Sequence, residues 1–281
     1  MTEPVSKPDL FTAKHVPSAL MRQTLLDRAL VRPVTDQPAM RLLPWLHVVA
    51  IGGRSIMDRG RDAVLPVVDE LRAALAEHRM LIATGPGIRA RHVFGVGLDL
   101  GLPTGALAAL ASTEAEQNGH IIAALLADEG VSYLPHTTVG HQLATHLSAS
   151  PAAVSNGYPP YGLFEFPPAV GRLPPHQTDA GALLIADAYG AVRTIYVKDV
   201  DGVYTQDPAT AAQGEGEFIP RVGAAELIAM DLPTLPLDRL VLELMANAKQ
   251  VREIQIVNGL TAGNITKALR GEHVGTIVYA D

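Results

Sequence analysis

The order in which apolar runs and glycine turns alternate constrains this fold more than any other feature. The run LHVVAIGG, residues 46–53, is rich in β-branched residues, and residues 58–78 carry apolar side chains at helical spacing. MLIATGPG, residues 80–87, and the helical pattern of residues 89–101 repeat this order. Two consecutive units of strand, turn and helix predict a parallel sheet with right-handed crossovers.

The later segments continue the alternation. A proline-rich loop at residues 156–176 interrupts it, because six prolines in about twenty residues prevent a regular element. The sequence therefore predicts an α/β protein, a three-layer α/β/α sandwich with a mostly parallel central sheet. The other predicted helices are 104–129, 138–146, 178–190, 224–230, 237–250 and 264–271, and the other predicted strands are 131–136, 152–156, 194–197, 252–259 and 275–280.

Composition excludes several classes of function. The formal charge of −7 provides no basic face for nucleic acid, so any anion must be bound by a focused local site. Because the chain has no cysteine, disulfides, thiolate metal ligands and a cysteine nucleophile are excluded. The first residues lack an uninterrupted apolar stretch and no later run approaches bilayer length, so we expect a cytoplasmic protein without a membrane partner.

The chain divides near residue 40. Residues 1–40 are rich in proline and polar residues and form an N-terminal arm in our prediction. A leader without fixed structure and a segment that wraps a neighbouring subunit are both compatible with this composition. Residues 41–281 are predicted to form the folded domain, with one part at about 41–175 and another at about 176–281.

Two glycine turns are candidates for an anion site. Gly52 and Gly53 end the first strand, and Gly85 and Gly87 end the second, with Arg89 soon after. Glycine lets an anion approach backbone N–H groups closely at the start of a helix. Either turn alone is equally typical of an ordinary tight turn, but two at adjacent strand ends favour anion binding. Neither turn matches the P-loop or dinucleotide fingerprint.

A third candidate is KDVDGVYTQDP, residues 198–208. Its Asp-Gly and Asp-Pro pairs are turn chemistry in any protein, whereas Lys198 and Tyr204 are not explained by a turn alone. This segment resembles the nucleotide-binding signature of the amino acid kinase superfamily. The resemblance extends in order from Leu46 to Tyr279, and the closing segment from Val257 is similar to the uridylate kinase branch.

The resemblance implies a function for each part. The part before residue 175 would bind the acceptor, and the later part would bind ATP with Mg²⁺. Asp179, in the Thr-Asp element of QTDAG, would orient catalytic groups between them. The residues that the resemblance assigns to the nucleotide are Gly52, Gly53, Arg54, Gly85, Gly87, Arg89, Lys198, Asp201, Val203, Tyr204 and Asp207.

One position departs from the family pattern. The family usually has lysine in Lys-x-Gly-Gly at the end of the first strand, and this chain has Ala50. Loss of a cation at a transferring phosphoryl group costs orders of magnitude in rate, which argues against kinase activity. Arg54 or Arg89 are alternative sources of that charge. Nucleotide binding through backbone donors and Lys198 does not depend on Ala50.

Four segments resemble the metal-storage members of this superfamily: residues 41–49, 89–103, 159–162 and 271–276. This resemblance implies a hexamer formed with itself or with a related subunit, in which ATP drives the loading of molybdate or tungstate as polyoxometalate clusters. It also places His136 and His146 near clusters, although their spacing equally fits scattered surface histidines. The alternatives are a uridylate-type nucleoside monophosphate kinase and a catalytically silent nucleotide-binding subunit.

Overall fold

The computed structural model describes residues 40–159, 173–208, 210 and 216–280. The predicted arm, apart from Met40, and most of the proline-rich loop lie outside the described residues. The ten strands are β1 (Leu46–Ile51), β2 (Arg79–Thr84), β3 (Ser132–Tyr133), β4 (Ala152–Asn156), β5 (Arg193–Lys198), β6 (Val203–Tyr204), β7 (Phe218–Ile219), β8 (Arg221–Gly223), β9 (Glu253–Asn258) and β10 (Thr276–Tyr279) within that part of the chain.

Eight α-helices and two short 3₁₀ turns accompany these strands in the described ranges. The 3₁₀ turns are Met57–Arg59 and Ala127–Glu129. The helices are α1 (Arg61–Ala74), α2 (Arg89–Asp99), α3 (Thr104–Leu125), α4 (His136–Ala149), α5 (Thr178–Tyr189), α6 (Ala224–Ala229), α7 (Arg239–Asn247) and α8 (Asn264–Arg270).

Eight of the strands form one sheet in the order β3-β4-β2-β1-β5-β9-β10-β8, and β6 pairs with β7 in a separate two-stranded ribbon. The first six strands in this order are mutually parallel, whereas β10 runs antiparallel to β9. The mostly parallel sheet is confirmed. Because parallel strands end at the same edge, the segments that follow β1, β2 and β5 meet there.

Helices cover both faces of the sheet. On one face α4, α5, α6 and α7 pack their apolar side chains on Leu81 and Ile256. On the other face α1, α3 and α8 pack on Val49 and Ile82. All six residues of β1 are buried, which is typical of a strand covered on both sides. The predicted three-layer α/β/α sandwich is confirmed.

Several details differ from the predicted elements. Helix α3 ends at Leu125 because Leu126 leaves helical geometry, and the chain closes through a 3₁₀ turn to left-handed Gly130. Helix α4 begins at His136, two residues earlier than predicted, directly after Pro135. Strand β8 was not predicted, because three residues are too few to show a strand pattern. None of the helices in the described residues combines the length and apolar character that crossing a lipid bilayer requires.

A single carboxylate joins α5 to the chain that leads into β9. Asp187 accepts three backbone N–H groups, from Lys249 at 3.1 Å, Gln250 at 2.7 Å and Val251 at 2.9 Å. Three converging N–H donors form a small anion-binding concavity, which the protein fills with its own side chain. Without Asp187 the two partly buried donors, the N–H groups of Gln250 and Val251, would lack an acceptor.

We therefore predict that Asp187→Ala lowers the free energy of unfolding by about 2 to 4 kcal/mol, since a charged acceptor is lost and several donors are left unsatisfied. Urea denaturation measures this change. Asp69→Ala is the matched control: Asp69 is 70% exposed and pairs with Arg72 on the surface of α1, so its loss should cost less than about 1 kcal/mol. Equal losses in the two variants would contradict the role given to Asp187.

Candidate nucleotide-binding site

The two glycine turns touch each other, backbone against backbone. A Cβ atom added to Gly53 would lie 2.7 Å from the carbonyl carbon of Gly85, and one added to Gly85 would lie 2.8 Å from the nitrogen of Gly53. Both distances are too short for any side chain. Gly87 has a φ of 73°, a left-handed conformation that glycine adopts without strain. The close contact therefore requires glycine at these positions.

The contact forms one wall of a cleft of about 740 Å³ at the carboxyl edge of the sheet. The other walls are the segment after β5 and residues 233–238. Most of the residues that sequence analysis assigned to the nucleotide or to catalysis line it. They are Gly52, Gly53, Arg54, Gly85, Gly87, Asp179, Lys198, Tyr204 and Asp207.

Three of the predicted residues do not line the cleft. Arg89 pairs with Glu114, at 3.1 Å from Nε to Oε2, and donates to the Asn118 side chain at 2.5 Å. Arg91, two residues on, lines the cleft instead. Asp201 and Val203 belong to the segment after β5 but are not among the residues that line the cleft.

A buried ion pair lies at the centre of the cleft. Lys198 Nζ is 3.0 Å from Oδ1 and 2.8 Å from Oδ2 of Asp179, and each residue is only 8% exposed. Asp179 is held in the first turn of α5, where its backbone carbonyl accepts the hydroxyl of Tyr196 at 2.9 Å. The stem of Lys198 passes over Gly52. The ammonium is thus fixed by Asp179 while the lysine stem lies against the first glycine turn.

Sequence analysis missed a second carboxylate beside this pair. The backbone N–H of Asp238 donates to Oδ2 of Asp179 at 3.3 Å, and the Asp238 side chain lines the cleft. Burial first, and then the charge of Asp179, raise the pKa of Asp238 to about 7, although Lys198 opposes the shift. Asp238 precedes α7, a position where aspartate is read as a helix cap, yet its side chain makes no capping bond. Because aspartate is common at that position, the sequence alone did not indicate Asp238 as a site residue.

The segment at residues 198–208, predicted to bind the nucleotide, is fixed by hydrogen bonds outside the cleft. Asp201 accepts the side-chain amide of Asn258 at 2.9 Å and the hydroxyl of Tyr204 at 3.4 Å. The N–H of Val203 donates to the hydroxyl of Thr276 at 2.8 Å. Asp201 and Val203 therefore fix the turn that carries Tyr204 into the cleft.

Ala50 is buried, at 5% exposure, and lies opposite Tyr196 in the β1–β5 pairing. It belongs to the apolar cluster on the α5 face of the sheet. The cationic residues that line the cleft, among those described, are Arg54, Arg91 and Lys198. The first two are exposed and Lys198 is buried.

The two predicted metal-site histidines lie far apart on α4. His136 is at its first turn, with Nδ1 at 3.0 Å from the side-chain nitrogen of Asn156, which ends β4. Burial lowers the pKa of His136, and the charge of Glu116 only partly offsets this. His146 lies ten residues on, about 15 Å along the helix axis, and its Nε2 is buried without a partner in the described residues. One small site therefore does not include both.

The described residues also contain no cluster of side chains that would chelate a metal ion. In the described ranges, no three carboxylate or imidazole side chains come close enough together to hold a metal ion. An amide nitrogen can only donate, so with this amide orientation His136 Nδ1 accepts and its Nε2 carries the proton. His136 can thus present an N–H group to an oxygen-rich anion.

Known proteins resemble this chain in family, in sequence and in structure. The model of the amino acid kinase family matches residues 45–258. The molybdenum storage protein subunit beta of Azotobacter vinelandii is 44% identical over 93% of this chain and 96% of its own length. The uridylate kinase of Methanobrevibacter smithii is 27% identical over 83% of this chain and 98% of its own length.

Solved structures show the same fold. Uridylate kinase from Archaeoglobus fulgidus superposes with a TM-score of 0.63 at 21% identity, over 83% of this chain and 99% of its own. UMP kinase from Bacillus anthracis superposes with a TM-score of 0.62 at 17% identity, over 84% of this chain and 96% of its own. At these identities the likeness establishes the fold alone. The family match and the 44% identity also establish the family. The chain belongs to the amino acid kinase family, with a molybdenum storage protein subunit among its relatives.

Proposed function

We propose that this chain binds ATP in the cleft and takes part in ATP-dependent storage of molybdenum or tungsten as polyoxometalate clusters inside an oligomeric cage. The observation that carries the proposal is the 44% identity, over 93% of the chain, with a molybdenum storage protein subunit. Ala50 supports it, since the buried cation expected of a kinase is absent from that position.

The cleft residues would divide the work of holding the nucleotide. The glycine turns offer backbone N–H groups to the phosphates, and Lys198, held by Asp179, adds a buried positive charge. The nucleotide's Mg²⁺ needs only one or two carboxylates besides phosphate and water, and Asp179 and Asp238 are suited to provide them. When bound, Mg²⁺ would neutralise phosphate charge. Asp238 would hold or release a proton beside it.

A second candidate is a uridylate-type nucleoside monophosphate kinase, and the 27% identity with a uridylate kinase favours it. Ala50 argues against it, because the described cleft has one buried ammonium where transfer of a phosphoryl group benefits from more. A catalytically silent nucleotide-binding subunit is the third candidate and keeps the same cleft. Arg54, at the mouth, is the residue best placed to supply additional charge.

The rest of the proposal concerns assembly. The formal charge of −7 repels polyoxoanions, so clusters require enclosed surfaces that present imidazole and backbone N–H groups. We assign the metal-facing surface to the part before residue 175, including His136 and His146, and the nucleotide to the part after it. Hexamer formation with itself or a related subunit, an arm at residues 1–40 and a cytoplasmic location complete the proposal.

The first prediction concerns the activity itself. The native assembly purified from cells supplied with molybdate should retain molybdenum after desalting, and removal of ATP during loading should abolish further uptake. Elemental analysis per subunit measures both, with cells grown without molybdate as the control. Phosphorylation of uridylate near ~10 per second, with no retained metal, would instead establish the kinase.

The second prediction tests Ala50. Ala50→Lys should raise ATP hydrolysis by about tenfold or more, because a second ammonium would face the phosphates next to Asp179 and Asp238. The added charge should also lower the pKa of Asp238 from about 7 and shift the pH profile of hydrolysis downward. Ala50→Met controls for side-chain size. If lysine and methionine variants hydrolyse ATP equally, Arg54 or another group already supplies the charge.

The third prediction concerns pH. Burial lowers the pKa of His136 below its ordinary 6.5, so its positive charge is present only at lower pH and is lost as pH rises through that lowered value. Bound molybdenum should fall as pH rises through that lowered pKa, and His136→Gln should remove that part of the fall. His141→Gln, exposed on the same helix, is the matched control. Identical release curves for His136→Gln and the unmodified protein would exclude His136 from retention, and His146→Gln tests the other histidine separately.

A further inference from the structure

A second cavity lies at the end of the sheet opposite the nucleotide cleft. Its volume is about 290 Å³, and it is lined where β5 and β9 begin. Lys198 ends β5 at the nucleotide cleft, and Arg193 begins the same strand at this cavity. Six residues of strand place these ends roughly 17 Å apart. The two sites are therefore separate.

Positive charge dominates the lining. Arg41, Arg193 and Arg252 contribute guanidinium groups, and the one carboxylate in the lining is Glu253. Glu253 already pairs with Arg221, at 2.5 Å between Nη2 and Oε1. The chain has a formal net charge of −7, but three arginines make the charge around this small cavity positive.

Two of these arginines lack a carboxylate partner among the described residues. Arg41 donates to the backbone carbonyl of Gln250 at 3.5 Å, a neutral acceptor at the limit of hydrogen bonding. The side chain of Arg193 forms no hydrogen bond or ion pair within the part of the chain that the structure describes. Burial is the main cause that lowers the pKa of His47 to about 4, and the charges of His78 and Arg193 lower it further. The charge of Arg193 is thus felt by its neighbours without being neutralised.

Left-handed glycines make room for the aliphatic stem of Arg41 and for the guanidinium group of Arg193. Gly190 ends α5 with a φ of 69°, and a Cβ there would lie 2.8 Å from Cβ of Arg41. Gly271 ends α8 with a φ of 90°, and a Cβ there would lie 2.7 Å from Cζ of Arg193. Arginines near helix carboxyl ends are also stabilised by the helix dipole, and that role alone would explain their position.

The charges point beyond that structural role. Two guanidinium groups without a carboxylate partner lie in the lining of one small cavity, and their positive charges repel each other. A dianionic ligand between them would replace this repulsion with attraction, whereas the helix dipole alone would leave it in place.

We propose that this cavity binds a dianionic tetrahedral oxyanion, either free or as the phosphomonoester of a small metabolite. Guanidinium groups match this ligand because their planar N–H forks bind two oxygens at once. The three arginines carry more positive charge than is needed to balance the two negative charges of the ligand. The volume suits an anion of this size rather than a nucleotide. This site is independent of the storage function proposed above.

The test uses inorganic phosphate and glycerol phosphate as separate probes. A non-hydrolysable ATP analogue is present at saturation so that the nucleotide cleft is filled, and sodium chloride holds the ionic strength constant. Calorimetry should detect saturable binding of at least one probe. Arg193→Gln and Arg41→Gln should each weaken that binding by about tenfold or more, whereas Arg61→Gln, an exposed arginine at the start of α1, should leave it unchanged.

The outcomes separate the sources of the ligand and the two proposals. Equal binding of the two probes supports a free ion, and tighter binding of glycerol phosphate supports a metabolite ester. Binding of neither probe, or binding that all three variants retain equally, overturns the proposal. Because Arg41 is exposed, its variant should fold normally, and its affinity for the ATP analogue verifies this. Molybdenum retention does not enter this measurement, so failure here leaves the storage proposal untouched.

Discussion

The cleft depends on the direct contact between two glycine turns. Gly53 lies against Gly85 with no space for a side chain, so the ends of β1 and β2 approach until their backbones touch. That approach is possible only because both strands are parallel neighbours and end at the same edge of the sheet. Any larger residue would push the turns apart and remove the concave backbone surface. The same constraint explains why glycine, and not a charged residue, occupies the centre of the proposed anion site.

Charge in the cleft is arranged around one lysine. Asp179, in α5, and Asp238, directly before α7, line the cleft together with Lys198, so this part of the described site holds two carboxyl groups for one ammonium. An uncompensated second carboxylate is costly in a buried position, and the protein meets this cost by raising the proton affinity of Asp238. The alanine at residue 50 leaves this imbalance in place. The arrangement suits binding and positioning of a polyphosphate more than fast phosphoryl transfer.

Sequence patterns predicted the fold well because the core strands are long, apolar and followed by glycine. The layer order follows from periodicity, whereas β8 and the β6–β7 ribbon are too short to show any. In the cleft, the glycines and Lys198 were recognisable in the sequence as candidate site residues, because they lie at the ends of predicted strands. Asp238 was not, because an aspartate before a helix has a common structural role. Arg89 shows the converse limit: its position in sequence suggested the cleft, but Glu114 and Asn118 on α3 hold it elsewhere.

The carboxyl group of Asp238 also couples the cleft to the acidity of the solution. With a pKa raised to about 7, it exchanges its proton near neutral pH. In the proposed role, a polyphosphate would bring negative charge close to it and increase its affinity for that proton, whereas a divalent cation would have the opposite effect. Nucleotide binding would then be accompanied by proton uptake, and cation binding by proton release. The protonation of this one carboxyl group would therefore depend on which of the two ligands the cleft holds.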